Sequence, residues 1–197
     1  MADAGRVIAG TAKGVRLRAP GPGTRPLADR VKQTLFAILE PDLDGARVLD
    51  LFAGSGAGGI EALSRGAAAA TFVEKDAGAA AVVEANLRAT NLAGDDAVII
   101  RADVLRWLDG GPYGAPFDVV LLDPPYADTE LLRRVLAILG APDAPLADDA
   151  RVVAKHFWRD RPPGRIGMLA VERDRRFGET ALTFYRRSDR EEVAEPR

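Results

Sequence analysis

Between residues 46 and 154, short continuous apolar runs alternate with stretches whose apolar residues recur at helical spacing. The runs predict buried strands at 48–52, 70–74, 97–101, 117–123 and 151–154. Between them the spacing predicts helices at 58–65, 77–89, a short one around 104–108, and 129–139. Strands apolar on both faces and separated by helices specify a parallel sheet covered on both sides.

The flanks read differently. Residues 6–10 and 15–18 predict two short strands around a Lys13-Gly14 turn. Pro20, Pro22 and Pro26, with Gly21 and Gly23, make the next stretch an irregular connector. A helix is expected over 28–39, because Val31, Leu35 and Ile38/Leu39 share one face and Pro41 ends it. Near the other end, 168–171 and 181–185 predict an antiparallel pair at one sheet edge, joined through residues 173–178. No solenoid or propeller repeat is present, and the charged stretch beyond Arg187 predicts a frayed end.

The chain has 197 residues, a length that suits one compact domain with a small appendage. It has no cysteine, which excludes disulfides, thiolate metal sites and a cysteine nucleophile. A single histidine, His156, leaves little room for a histidine metal site or a Ser/His/Asp triad. No apolar run reaches bilayer-spanning length, and the first residues lack the layout of a secretory signal, so a cytoplasmic protein is expected. The net charge of −2 conceals an asymmetry: residues 1–36 carry +5, residues 37–154 carry −10, and residues 155–190 carry +5. Basic flanks can contact phosphates, although charge asymmetry alone slightly favours arginines that only solvate the surface.

Two constellations carry chemistry. In the first, a strand ending at Asp50 and Phe52 runs into Gly54-Ser55-Gly56 and then a helix. Ligands of open parallel sheets sit at the carboxyl ends of strands, and glycines let the backbone approach them. Gly54-x-Gly56-x-x-Gly59 with Glu74 twenty residues on also satisfies a dinucleotide fingerprint, so an NAD-binding oxidoreductase is an alternative. Asp50 leans away from it, because an acid there repels a pyrophosphate and suits an ammonium group. Glu74 can accept from both hydroxyls of a ribose, and Asp103 from an adenine amino group. For Asp103, capping a helix at Val104 is an equal reading.

The second constellation is Asp123-Pro124-Pro125-Tyr126, directly after the fourth strand. Two prolines stiffen the backbone and remove N–H donors while leaving carbonyl acceptors. An exocyclic base amine is a poor nucleophile, because its lone pair is delocalised into the ring. Hydrogen bonds from that amine to Asp123 and to the Pro124 carbonyl hold it and favour a more tetrahedral nitrogen, while Tyr126 offers a stacking face.

With these motifs in place the sequence resembles the class I S-adenosylmethionine (AdoMet)-dependent methyltransferases, and within them the RsmD family of 16S ribosomal RNA guanine-N2 methyltransferases. The segments that carry the resemblance are Arg6-Val7-Ile8-Ala9-Gly10, Gly14-Val15-Arg16-Leu17, Arg25-Pro26, Asp29-Arg30-Val31-Lys32-Gln33-Thr34-Leu35-Phe36, the glycine loop, Glu61-Ala62-Leu63-Ser64-Arg65-Gly66-Ala67, Val73-Glu74 and Asp123-Pro124-Pro125-Tyr126. It implies an α/β, Rossmann-like fold with a mostly parallel seven-stranded sheet, an antiparallel last strand and an N-terminal β-hairpin extension. It implies an RNA-contacting arm over 1–26, a methyltransferase domain over 27–190 and a tail over 191–197. AdoMet would lie on Asp50, Phe52, Gly54, Ser55, Gly56, Glu74, Asp103 and Val104, leaving S-adenosylhomocysteine as product. Asp123, Pro124, Pro125 and Tyr126 would hold the target amine, with adenine N6 or cytosine N4 as alternatives to guanine N2. Arg6, Lys13, Arg16, Arg18, Arg25 and Lys32 would contact RNA, and Arg30 is expected to be structural. The implied partner is ribosomal RNA or the assembling 30S subunit, met by a monomer without metal or membrane. Two departures stand out. Gly58 replaces a larger apolar residue, which is expected to loosen the first turn of its helix. Lys155-His156 stands where the family usually has a glutamate; both side chains are candidates for phosphate contact, and His156 is otherwise expected at the surface near Trp158.

Overall fold

The computed structural model describes residues 3–21, 28–110, 113–125 and 128–188. An N-terminal antiparallel pair, β1 (Asp3–Arg6) and β2 (Arg16–Arg18), precedes helix α1 (Asp29–Leu39). A Rossmann-like unit follows as β3 (Arg47–Leu51), α2 (Ala57–Ser64), β4 (Ala69–Glu74), α3 (Ala77–Ala89), β5 (Ala97–Arg101), α4 (Val104–Gly110), β6 (Phe117–Leu122), α5 (Thr129–Leu139) and β7 (Leu146–Phe157). The described chain closes with β8 (Arg165–Ile166), β9 (Leu169–Phe177) and β10 (Thr180–Arg187).

The main sheet has the order β5-β4-β3-β6-β7-β10-β9-β8. The first five strands in that order are parallel, and β10 enters antiparallel to β7. The expected seven strands and inverted last strand are present, and the two-residue β8 adds an eighth at the edge. Successive residues of each central strand serve opposite cores. Val48, Val119, Leu121 and Val153 pack with α1, α2 and α3, whereas Leu49, Leu51, Val120 and Val152 pack with α4 and α5. This two-sided burial is the origin of the continuous apolar runs.

The flanks need correction. β1 lies at Asp3–Arg6 rather than 6–10, because residues 8–12 turn aside to bond α2; hairpin pairing continues one step further, with Val7 N–H donating to Val15 O at 2.9 Å. Residues 173–177, expected in a connector, belong to β9, and the turn into β10 is only Gly178-Glu179. Beyond Val171, β9 pairs on one side only, so its polar sequence reflects an edge strand bathed by solvent.

The hairpin is fastened to the body. Ala4, Val7, Ala12 and Leu17 are buried in the same core as Phe36 and Ile60. Glu61, fully buried, accepts from Ile8 N–H at 2.8 Å and Ala9 N–H at 3.0 Å. Ser64 Oγ donates to Ala9 O at 2.6 Å and accepts from Ala12 N–H at 2.9 Å. A Cβ on Gly10 would lie 1.6 Å from the Ser64 carbonyl oxygen, and Gly10 has φ +83°, so glycine is obligatory there.

Candidate active site

Strands β3 and β6 are neighbours, with Leu51 opposite Leu122. The residues that follow them, Phe52 and Asp123, therefore emerge side by side, and Asp123 N–H points to Leu51 O at 3.5 Å. The glycine turn and the twin-proline corner thus share one crevice. Asp50 feels the charges of both Asp123 and Glu74.

At the turn the backbone takes left-handed angles at Phe52 (φ 66°), Gly54 (φ 55°) and Gly56 (φ 77°). For Phe52 this conformation is costly, about 1–3 kcal/mol, and such strain concentrates where a loop must present its backbone to a ligand. Gly54 N–H donates to Glu74 Oε2 at 2.9 Å, and Asp76 N–H to Glu74 Oε1 at 2.8 Å. Each oxygen keeps a second lone pair for a hydroxyl. Ser55 O accepts from the fully buried Asn86, whose side-chain amide also bonds both the N–H and the C=O of Arg18. One side chain on α3 therefore ties the hairpin to the glycine turn, a role invisible at the sequence level because its partners lie 31 and 68 residues away.

Asp50 is buried, and its carboxylate accepts from Gly59 N–H at 2.8 Å. Burial first, with the Asp123 and Glu74 charges adding, pushes its carboxyl up to about 7, against the pull of the Gly59 bond. A Cβ on Gly58 would lie 2.9 Å from Leu121 Cδ1 and 3.0 Å from Asp50 Oδ2. The glycine gives the carboxylate its space, and α2 is helical from Ala57 onward without loosening. Asp103, exposed, caps α4 through Oδ1, which accepts from Leu105 N–H at 3.1 Å and Arg106 N–H at 3.2 Å; Val104 behind it is buried. The capping reading is realised, and Oδ2 takes no part in it.

The donor set fits AdoMet. A buried acid short of a cation ends β3, a carboxylate with spare lone pairs ends β4, and a further acid follows β5. The third glycine of the dinucleotide fingerprint serves packing: a Cβ on Gly59 would lie 2.3 Å from the Phe72 ring.

At the corner, Asp123 is half-buried, Pro124 is buried and Pro125 is exposed, while Tyr126 lies outside the described residues. Lys155, 7% exposed, donates to Asp123 Oδ1 from β7. This overturns the expectation that Lys155 contacts phosphate: its ammonium is turned inward onto the acid. His156 is likewise buried rather than superficial, with Nε2 2.9 Å from Thr183 Oγ1 and Nδ1 2.8 Å from Phe157 O. Burial, chiefly, pushes its imidazole below the usual range.

The expected RNA arm divides. Arg6, Lys13, Arg16 and Arg18 are exposed. Arg6 pairs with Asp29 at 3.2 Å and Arg16 with Asp3 at 2.6 Å. Arg25 lies outside the described residues. Lys32 must be removed from the arm: it is 0% exposed, donates to Arg6 O, and lies 3.9 Å from Glu61. An ammonium enclosed in the core has no access to a phosphate. Arg30 is exposed on α1, and Asp29 pairs with Arg6 instead of with it.

Comparison with known proteins agrees with this geometry. A family described as "Conserved hypothetical protein 95" matches residues 5–186. The YlbH protein of Bacillus subtilis (strain 168) is 38% identical over 184 residues, covering 92% of this chain and 98% of its own. Ribosomal RNA small subunit methyltransferase D of Escherichia coli (strain K12) is 36% identical over 183 residues, covering 92% of this chain and 89% of its own. The solved structure of the Escherichia coli protein yhhF superposes with a TM-score of 0.82 at 33% identity, over 94% of this chain and 98% of that one. The motif segments that sequence reasoning could quote but not explain, around Lys32 and Glu61, are the parts that lock the hairpin to the body. The chain belongs to the RsmD family of 16S ribosomal RNA methyltransferases, within the class I AdoMet-dependent superfamily.

Proposed function

We propose that this chain methylates the exocyclic N2 amine of a guanine in 16S ribosomal RNA, using AdoMet as donor. The observation that carries the reading is the adjacency of Phe52 and Asp123 at the ends of paired strands, which puts a base-amine corner beside a cofactor turn.

AdoMet, when bound, supplies a methyl group on a positively charged sulfur. The chain's own residues supply position. Asp50 faces the cationic methionine end, Glu74 the ribose hydroxyls and Asp103 the adenine edge. At the corner, Asp123 Oδ2 and the Pro124 carbonyl accept the two amine hydrogens and aim the nitrogen lone pair at the donor. Such orientation is where most of the rate gain is available to a protein that meets an already activated group. Asp123, as the acceptor nearest the amine, takes the proton that the methylated nitrogen loses. The target base reaches the corner unpaired or flipped from its stack.

The hairpin and connector over 1–26 serve as an RNA-contacting arm on the 27–190 methyltransferase domain, with Lys13 and Arg18 as cations that form no ion pair among the described residues. The 191–197 tail lies outside the described residues. A monomer acting on 16S RNA or the assembling 30S subunit, in the cytoplasm, completes the reading. Among the described residues no helix is long and apolar enough to cross a membrane, and no group of three or more His, Asp or Glu could hold a metal ion.

The test is nucleoside mass spectrometry of 16S RNA from cells with and without the gene, complemented by the wild type or by Asp123→Ala. Loss of one N2-methylguanosine, restored by the wild type and not by the variant, is expected. Loss of N6-methyladenosine or N4-methylcytidine instead would redirect the reading to another amine. Asp123→Ala should still bind AdoMet, since it leaves the glycine turn intact.

A further inference from the structure

β7 continues past the level of Asp123. Ala154 lies opposite Leu122, Lys155 reaches Asp123, and the strand runs on to Phe157 before Trp158 leaves it. At about 3.3 Å per residue the strand's end stands roughly 7 Å beyond the level of Asp123. The β9–β10 turn arrives at the same height, since Thr180 pairs with Phe157 and Trp158 N–H donates to Glu179 O at 3.0 Å. These segments build a ledge on the rim of the crevice, flanking the corner on the side away from β3.

Two arginines are organised on this ledge by one indole. The Arg176 guanidinium carbon lies 3.5 Å from the Trp158 ring centroid, and that of Arg159 lies 4.9 Å from it. Arg176 Nε donates to Gly178 O at 2.9 Å, a bond that does not use its two Nη groups. Both arginines are exposed, and among the described residues neither forms an ion pair. Their neighbour Arg161 is paired with Asp174 instead of with the indole. A guanidinium held by stacking and by a backbone bond has already lost the freedom that an ordinary surface arginine loses on binding, and its remaining fork matches two phosphate oxygens. Edge-strand protection explains arginines that point into solvent along β9. It does not explain two guanidinium groups gathered on a half-buried tryptophan at the strand ends.

We propose that Trp158, Arg159 and Arg176 form a phosphate-binding ledge for the RNA substrate, gripping the backbone on the opposite side of the target nucleotide from the N-terminal arm. The proposal rests on the RNA methyltransferase reading. On the hairpin, Arg6 and Arg16 are paired with acids, so the ledge adds to the contacts offered by Lys13 and Arg18.

The test uses the full chain and a 16S RNA transcript, with binding measured across a salt series, alongside the AdoMet-induced rise in melting temperature. Arg159→Ala/Arg176→Ala should weaken RNA binding about tenfold or more at low salt. It should reduce the log–log salt slope by roughly 1.4–1.8, as loss of two phosphate contacts predicts. The AdoMet-induced rise should not change. Arg159→Lys/Arg176→Lys keeps the charge but loses the stacked fork, and should fall between the two. RNA affinity and slope equal to wild type in the alanine pair would overturn the ledge. If the wild type itself methylates no 16S RNA while binding AdoMet, the functional reading fails and the ledge falls with it. If the wild type methylates and the alanine pair binds equally well, the ledge alone is wrong.

Discussion

Lys155 on β7 donates its ammonium to Oδ1 of Asp123 at the end of β6, so the carboxylate proposed to hold the target amine is held from behind by a buried cation. The contact engages Oδ1 and not Oδ2, the oxygen proposed to accept from the amine. A hydrogen bond between charged groups contributes about 1.5–3 kcal/mol, equivalent to roughly 10–100-fold in rate if it is spent on orientation. Lys155→Ala should therefore lower kcat at least about tenfold with little change in KM for RNA or in AdoMet affinity. Lys155→Arg should recover part of the loss. Single-turnover methylation and a separate AdoMet titration check this, and an unchanged kcat would reduce Lys155 to a packing role.

In its proposed place beside the methionine end, Asp50 should make AdoMet binding pH-sensitive. Its carboxyl, raised by burial from 3.8 to about 7, is protonated in the free protein below that value and cannot then meet an ammonium group. AdoMet affinity should fall as pH drops through about 7, a trend that thermal-shift titration would follow.

The same group has an opposite effect on stability. Between about 4 and 7 the folded state holds a proton that the unfolded state has lost, so the Asp50 contribution diminishes as pH rises through that window. Asp50→Asn should melt higher than wild type at pH 8, by up to a few kcal/mol at about 1.4 kcal/mol per pKa unit, and the gap should close towards pH 4. It should also bind AdoMet poorly. An Asn variant less stable than wild type at pH 8 would contradict the account.

Lys32 and Glu61 form a buried pair at 3.9 Å, and Arg65 Nε also donates to Glu61 Oε1 at 2.8 Å. Removing one member of a buried ion pair costs about 3–5 kcal/mol, because the other charge is left uncompensated. Burial already pushes the Lys32 ammonium below its usual range, against the opposing pull of Glu61. Glu61→Ala should be strongly destabilising, also freeing the N–H groups of Ile8 and Ala9. Adding Lys32→Met should cost less than the sum of the two single changes. Urea denaturation of the four proteins measures the coupling.

Asn86 links arm and cofactor turn. Asn86→Ala removes the bonds to Arg18 and Ser55 and should weaken AdoMet binding about tenfold, although Asn86 is not placed to touch the cofactor itself. Calorimetric titration checks this; unchanged affinity would show that the turn holds its shape without the tether.

Much of this protein was legible in its residue order. β5, α3 and α5 occupy the predicted residues, and the crevice residues around Asp50, Gly54, Glu74 and Asp123 were named from their positions at strand ends. These features are local: a strand apolar on both faces, a glycine turn or a proline pair declares itself within a window of a few residues. The destination of the charged side chains was decided only by tertiary structure. Lys32, Lys155 and His156 read as candidates for solvent or phosphate, yet all three are buried against partners distant in sequence. The arm is docked by Glu61, Ser64 and Asn86, more than fifty residues from the backbone groups they hold in it. A cation's preference for water or for an enclosed carboxylate depends on where the chain places that carboxylate, which is a property of the folded sheet rather than of any short stretch of sequence.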